Sequence, residues 1–128
     1  MSEYIRGYSE RIQPPTFRLT QDLEYYFGTG QIQRGNDIVG GILPRNRPIF
    51  ELLINFPNHA FSVRELAEAG GQKLLDPDLP LPRMHKNDYQ RVLVAIKRMK
   101  ISLKKLKADQ IEKVDIMHYA WTSEIIQS

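Results

Sequence analysis

The residues with the clearest chemical potential in this 128-residue chain are cations collected in one short segment. Residues 86–107 contain a single acid, Asp88, and eight bases: Lys86, Arg91, Lys97, Arg98, Lys100, Lys104, Lys105 and Lys107. The segment therefore carries a formal charge of +7, whereas the rest of the chain carries −4. Ammonium and guanidinium groups attract phosphates and carboxylates, so this polarised charge favours an anionic partner. A solvated helix face is the ordinary alternative, but such faces usually interleave glutamates with their lysines.

The same segment has the apolar spacing of an amphipathic helix. Five apolar residues recur every three or four positions and fall on one stripe: Val92, Ile96, Met99, Leu103 and Leu106. The opposite face carries most of the cations. Two apolar residues, Val94 and Ile101, lie on the same face. Asn87 or Asp88 is predicted to cap the N-terminus, so we expect a helix over about 88–107. Apolar atoms amid cations suit a surface that meets base edges and sugars as well as phosphates.

The N-terminal third predicts an arm and a sheet. Residues 1–15 end in Pro14-Pro15 and are predicted to be extended. Residues 16–40 alternate β-forming residues between glycine turns, which predicts a small antiparallel sheet. The aromatic residues 25–27 resemble a stacking platform for bases, but core and cross-strand contacts are the better interpretation.

Two short helices, a loop and a hairpin complete the pattern. Asn46 and Pro48 predict the start of a helix that ends before Pro57. Ser62 and Glu65 have the capping-box spacing, and this second helix is predicted to end at the following glycine pair. Residues 70–85 contain three prolines and predict a long loop, whereas residues 111–122 alternate as a β-hairpin.

This order of elements predicts an α+β fold, a winged helix-turn-helix. It consists of an N-terminal antiparallel sheet, three helices and a C-terminal β-hairpin wing, all within one domain at 16–128 behind the arm at 1–15. In such a fold the last helix enters the major groove of DNA and the wing touches the flanking backbone.

Three stretches in this order carry a family resemblance across about residues 16–123. "LPRNRPIFELLINFPNHAFSVREL", "VLVAIKRMKISL" and "IEKVDIMHYAW" resemble the two helices, recognition helix and wing of the DNA-binding effector domain of OmpR/PhoB-type response regulators. The resemblance implies base contacts from Gln90, Val94, Lys97 and Arg98. Contacts to the DNA backbone are expected from Lys86, Lys100, Lys104, Lys105 and Lys113.

The chain departs from the family pattern in three places. Asp115 stands where the family has a wing arginine, so Lys113 is expected to replace it. The loop before the basic helix is about ten residues longer than usual, and we expect Leu79, Leu81 and Met84 to form a partner-binding surface on it. In the family this loop is associated with RNA polymerase, a possible partner here too. We also expect no receiver domain and hence no control by phosphorylation.

Other classes of function are disfavoured. His59, His85 and His118 lack ligand-like spacing, and no catalytic, cofactor or phosphate-loop motif is present, so we expect no enzyme, metal site or cofactor. The sequence has no cysteine, no membrane-spanning apolar run and no signal peptide in its N-terminal residues, which favours a cytoplasmic, nucleoid-associated protein.

The prediction is therefore a sequence-specific regulator of transcription that binds double-stranded DNA as a dimer or as tandem copies. The alternative is a winged-helix module that binds an acidic protein such as a polymerase subunit. RNA binding is a weaker alternative, because RNA recognition usually needs exposed stacking aromatics.

Overall fold

The computed structural model describes residues 16–75, 78 and 84–123. The predicted arm at 1–15 lies outside these residues. In the described part no helix is long and apolar enough to cross a membrane.

A four-stranded antiparallel sheet opens the domain, as predicted. Its strands are β1 Thr16–Arg18, β2 Glu24–Tyr26, β3 Gln31–Arg34 and β4 Asp37–Gly41, and they pair in chain order. Each of the first three strands buries one apolar side chain against the helices: Phe17, Tyr25 and Ile32. Gly35, with a φ of 62°, supplies the left-handed residue that the tight turn between β3 and β4 requires.

Three α-helices follow: α1 Arg47–Asn55, α2 Val63–Ala69 and α3 Lys86–Lys105. The capping box of α2 is confirmed, because the Glu65 amide donates to Ser62 Oγ at 3.0 Å and the Ser62 amide donates to Glu65 Oε1 at 2.8 Å. Asn46 occupies the predicted cap position of α1, but the predicted capping hydrogen bond of its side chain is wrong. Asn46 precedes α1 but ends a 3-10 turn, Pro44–Asn46, and its side chain accepts no capping hydrogen bond.

The apolar stripe of α3 is confirmed, whereas its predicted cap is wrong. Val92, Ile96, Met99 and Leu103 are at most 3% exposed. Leu106, the fifth residue of the predicted stripe, follows the last helical residue and is partly buried against the core. The helix begins at Lys86, and His85 caps it by accepting the Asn87 amide on Nδ1 at 3.1 Å. Asp88 instead lies inside the first turn, where its buried carboxylate accepts the Leu75 amide at 2.9 and 3.1 Å. The Asp88 side chain, which the local pattern predicted to cap the helix, therefore forms its hydrogen bonds with a residue outside the helix.

A second sheet contains the predicted hairpin. Strands β6 Ile111–Asp115 and β7 His118–Trp121 pair antiparallel, and β5 Phe61–Ser62 adds to the free edge of β7. The sequence analysis missed β5, which is only two residues long. Trp121 anchors the hairpin in the core, where its ring meets Phe17 and Phe50 edge-on at 6.1 and 5.6 Å. The described elements therefore form the predicted winged helix-turn-helix.

Candidate nucleic-acid interface

The outward face of α3 presents the four predicted base contacts together. Because the buried stripe fixes the rotation of the helix, Gln90, Val94, Lys97 and Arg98 are all exposed to solvent. Within the described residues the side chains of Lys97 and Arg98 form no ion pair and no internal hydrogen bond. Val94 is 44% exposed and lies on the same face as Gln90, Lys97 and Arg98. Hydrogen-bond donors and an apolar contact are thus available on one surface.

The five predicted backbone contacts differ in their availability. Lys86, Lys104, Lys105 and Lys113 are exposed. Lys100 is engaged internally, since its ammonium donates to the Ile111 carbonyl at 2.6 Å and lies 3.0 Å from Asp109 Oδ2. These contacts join the middle of α3 to the start of the wing. Lys100 therefore has a structural role that its position on the helix did not indicate.

The wing turn is organised by Asp115, which stands where the sequence comparison above expected an arginine. Asp115 Oδ1 accepts the Met117 amide at 2.8 Å and lies 2.8 Å from His118 Nδ1. The hydrogen bond with His118, followed by that from Met117, lowers the pKa of the Asp115 carboxyl below its ordinary value. Asp115 is thus held as a turn-forming residue. Beyond it, Ile116 is 64% exposed at the tip of the wing.

A lysine-lined groove separates α3 from the wing. It encloses about 390 Å³, and its apolar wall includes Leu93, Ile101 and Tyr119. Four cations line it: Lys97, Lys100, Lys104 and Lys113. Tyr89 joins α3 to the tip of the wing, since its hydroxyl donates a hydrogen bond to the Ile116 carbonyl at 2.9 Å. Helix α3 and the wing therefore flank one positively charged depression.

Arg64 is a candidate that the sequence analysis missed. It is the second residue of α2, and its Nε and Nη2 atoms are buried without a hydrogen-bond partner in the described part of the chain. Buried guanidinium donors that lack an acceptor are costly, so an anion at this helix start would satisfy them. The only sequence signal was an arginine within the first turn of a capped helix.

Two other predicted features lie away from this face or outside the described residues. The Tyr25 ring is fully buried, and its hydroxyl donates to Glu51 Oε2 at 2.7 Å, so it stacks in the core and not on bases. Burial, and then the hydrogen bond to Glu51, raises the pKa of the Tyr25 phenol.

In the predicted partner-binding loop, Met84 is buried in the core at 8% exposure, which removes it from an exposed contact surface. Leu79 and Leu81 lie outside the described residues.

No group of three or more metal-binding side chains occurs within residues 16–75, 78 and 84–123. No protein-family model matches the sequence, and no curated protein matches it.

Solved structures with the same fold are found despite low sequence identity. One is the DNA-binding domain of the response regulator AdeR in complex with an intercistronic region, at 15% identity and a TM-score of 0.59. Another is the C-terminal domain of NsrR, a lantibiotic response regulator of nisin resistance, at 16% identity and a TM-score of 0.58. Each comparison covers 84% of this chain and 100% of the other. At this identity the likeness establishes the fold of the chain.

Proposed function

We propose that this protein is a sequence-specific regulator of transcription that binds double-stranded DNA. The observation that carries the proposal is the outward face of α3, where cations without internal partners surround exposed polar and apolar side chains. The fold supports it, because the similar AdeR domain is described in complex with an intercistronic region. A winged helix-turn-helix presents its last helix to the major groove, and here that helix is the basic one.

In this proposal α3 reads bases through four side chains within about two and a half turns of helix. Arg98 donates two hydrogen bonds to guanine O6 and N7, and Gln90 pairs with the N6 and N7 atoms of adenine. Val94 contacts a thymine methyl, which explains why an apolar side chain is exposed there. Lys97 adds a mobile charge that is less demanding of geometry.

Phosphate contacts flank this surface. Lys86, Lys104, Lys105 and Lys113 are exposed where a backbone on either side of the groove would pass, and Arg64 adds an unsatisfied guanidinium at the start of α2. Lys100 is assigned a smaller part, because a phosphate would have to displace Asp109 from its ammonium. These contacts position the protein on the duplex and give most of the sequence-independent affinity.

Two copies are expected on each operator, as a dimer or side by side, since one helix reads few base pairs. RNA polymerase is a further possible partner, and we expect the protein to act in the cytoplasm at the nucleoid.

The second candidate is a protein-binding module with an acidic partner, such as a subunit of RNA polymerase. Exposed apolar side chains favour it, namely Val94 and Ile101 on α3, and Val114 and Ile116 on the wing, at 44–64% exposure. The cores of protein interfaces are depleted in lysine and enriched in aromatic residues. Because the α3 face is rich in lysine and poor in aromatics, DNA is the better match.

Selection from a pool of random duplexes at about 150 mM salt, a concentration at which non-specific binding is weak, tests the proposal directly. We expect an enriched motif, and two copies on one operator predict that it is repeated. Uniform weak recovery would refute sequence-specific binding and favour the protein-binding candidate.

Substitutions at two exposed positions then distinguish contacts with bases from contacts with phosphates. Arg98→Ala should cost about 1–3 kcal/mol on the selected duplex and relax preference at one position, whereas Lys104→Ala should weaken selected and random duplexes alike. Equal losses on both duplexes for both variants would contradict this division of roles.

The dependence of binding on salt measures the phosphate contacts. Neutralising about four to six phosphates predicts a slope of roughly −4 to −5 in log K against log salt concentration. Lys104→Ala should make the slope about one unit shallower, and a wild-type slope near zero would contradict an electrostatic interface.

A further inference from the structure

A second cleft lies on the other side of α3 from the wing, and arginines line it. It encloses about 420 Å³ between the start of α1, the end of α2 and the first half of α3. Three arginines from two elements reach it: Arg45 from the turn before α1, and Arg91 and Arg98 from α3. We call this the arginine cleft. Its volume falls within the roughly 300–1,000 Å³ of typical small-molecule sites.

The charge of the arginine cleft is not compensated. None of its lining residues is an aspartate or glutamate. Across the described residues, the side chains of Arg45, Arg91 and Arg98 form neither a hydrogen bond nor an ion pair. A concave site with one sign of charge and low-dielectric walls concentrates the field and raises the local concentration of counter-ions.

The side chain of Asn46 adds a polar group to the cleft. Asn46 lines the cleft, is only 3% exposed, and its side chain has no hydrogen bond to any described residue. Its amide atoms are not among the fully buried side-chain atoms that lack a partner, so the amide keeps some contact with solvent in the cleft. A bound molecule with acceptor oxygens would accept a hydrogen bond from this amide in place of water. The neighbouring walls are apolar, formed by Ile49, Ala67 and Ala95 among others, and suit a carbon skeleton.

We propose that the arginine cleft binds a small organic anion that carries a phosphate group or paired carboxylates. Guanidinium groups match both anions through paired N–H donors. Gln90, Val94 and Arg98 line the cleft and are also three of the four proposed base contacts, so the bound anion competes with DNA. This competition rests on the proposed function, whereas the binding of the anion does not.

The first test uses the complete, isotopically labelled chain and two probes, inorganic pyrophosphate and citrate, in separate NMR titrations at constant ionic strength. At least one probe should bind saturably, with shifts at the amides of Gly70, Gly71 and Gln72, which line the cleft, and at the Asn46 side chain. Exposed Arg45→Ala should weaken binding roughly tenfold, as loss of a charge-assisted hydrogen bond predicts. Lys73→Ala is the matched control, because it removes one positive charge nearby without lining the cleft.

Three outcomes decide the proposal. Saturable binding that Arg45→Ala weakens and Lys73→Ala preserves supports it. Failure of both probes to bind saturably overturns it. Equal weakening by both variants overturns it too, because the anions would then only screen surface charge.

A second measurement separates this inference from the proposed function. The probe that binds should weaken wild-type binding to the selected duplex, and Arg45→Ala should abolish that weakening while leaving probe-free DNA affinity within about twofold. If Arg45→Ala weakens DNA binding without any probe, the cleft belongs to the DNA path and the inference is overturned. If the wild type binds no DNA, the proposed function fails, and the cleft is judged on the NMR titration alone.

Discussion

Asp88 holds the start of the basic helix to the chain before it, and its removal should be costly. Its carboxylate is fully buried and accepts the Leu75 amide at 2.9 and 3.1 Å, while the Gln72 side chain donates to the Asp88 carbonyl at 3.1 Å. In Asp88→Ala the Leu75 amide loses its acceptor, at a cost of about 1–3 kcal/mol. A carboxylate in the first turn of a helix adds about 0.3–1 kcal/mol through the helix dipole. We therefore expect a total loss of about 2–3 kcal/mol.

Urea denaturation of three variants tests this reasoning. Asp88→Ala should lower the free energy of unfolding by the full amount, and its Tm by roughly 6–12 °C. Asp88→Asn keeps one acceptor oxygen and should lose only about 1 kcal/mol, the charge-assisted part. Glu68→Gln on α2 removes an exposed carboxylate and should change stability by less than about 0.5 kcal/mol. Hydrogen exchange at the Leu75 amide should accelerate in Asp88→Ala.

The reasoning would be refuted by a stable Asp88→Asn. If that variant equalled or exceeded the wild type, the cost of burying the carboxylate would outweigh its hydrogen bonds. An Asp88→Ala loss no larger than that of Glu68→Gln would refute it equally.

Two further predictions concern the wing. NMR titration should find the pKa of Asp115 below its ordinary value, and His118→Ala should raise it, because the hydrogen bond with His118 is the main cause of the shift. The sign follows from linkage: this stabilisation is present above the unfolded pKa and is lost as pH falls through the lower, folded value, so an unchanged pKa in His118→Ala would contradict it. Tyr89→Phe removes the bond to the Ile116 carbonyl and should lower stability by about 0.5–1.5 kcal/mol and speed amide exchange at the wing tip, measured by hydrogen exchange. Unchanged exchange there would show that the bond does not hold the wing.

Local patterns in the sequence were sufficient for most of the fold. The stripe from Val92 to Leu103 predicted which face of α3 is buried, because a helix of 3.6 residues per turn aligns apolar residues at that spacing. Ser62 and Glu65 predicted the start of α2, since both capping bonds join residues three apart. The exposed face of the basic helix followed from the same periodicity.

The features that the sequence analysis missed depend on contacts between separate elements. β5 is two residues long and exists because β7 provides an edge, so no alternation could reveal it. The predicted phosphate contact of Lys100 stays a prediction, and the structure adds internal contacts of its ammonium with Asp109 and the Ile111 carbonyl.

Composition and periodicity are local properties, and they placed most of the positive charge on one amphipathic helix. The partners of individual groups depend on the packing of the helices and strands. Packing brings the Asp88 carboxylate to the Leu75 amide, leaves two buried donors of Arg64 without acceptors among the described residues, and brings Arg45 and Arg98 to the lining of one cleft. A buried polar group is satisfied by its neighbours in space, and these neighbours are set only when the elements pack together.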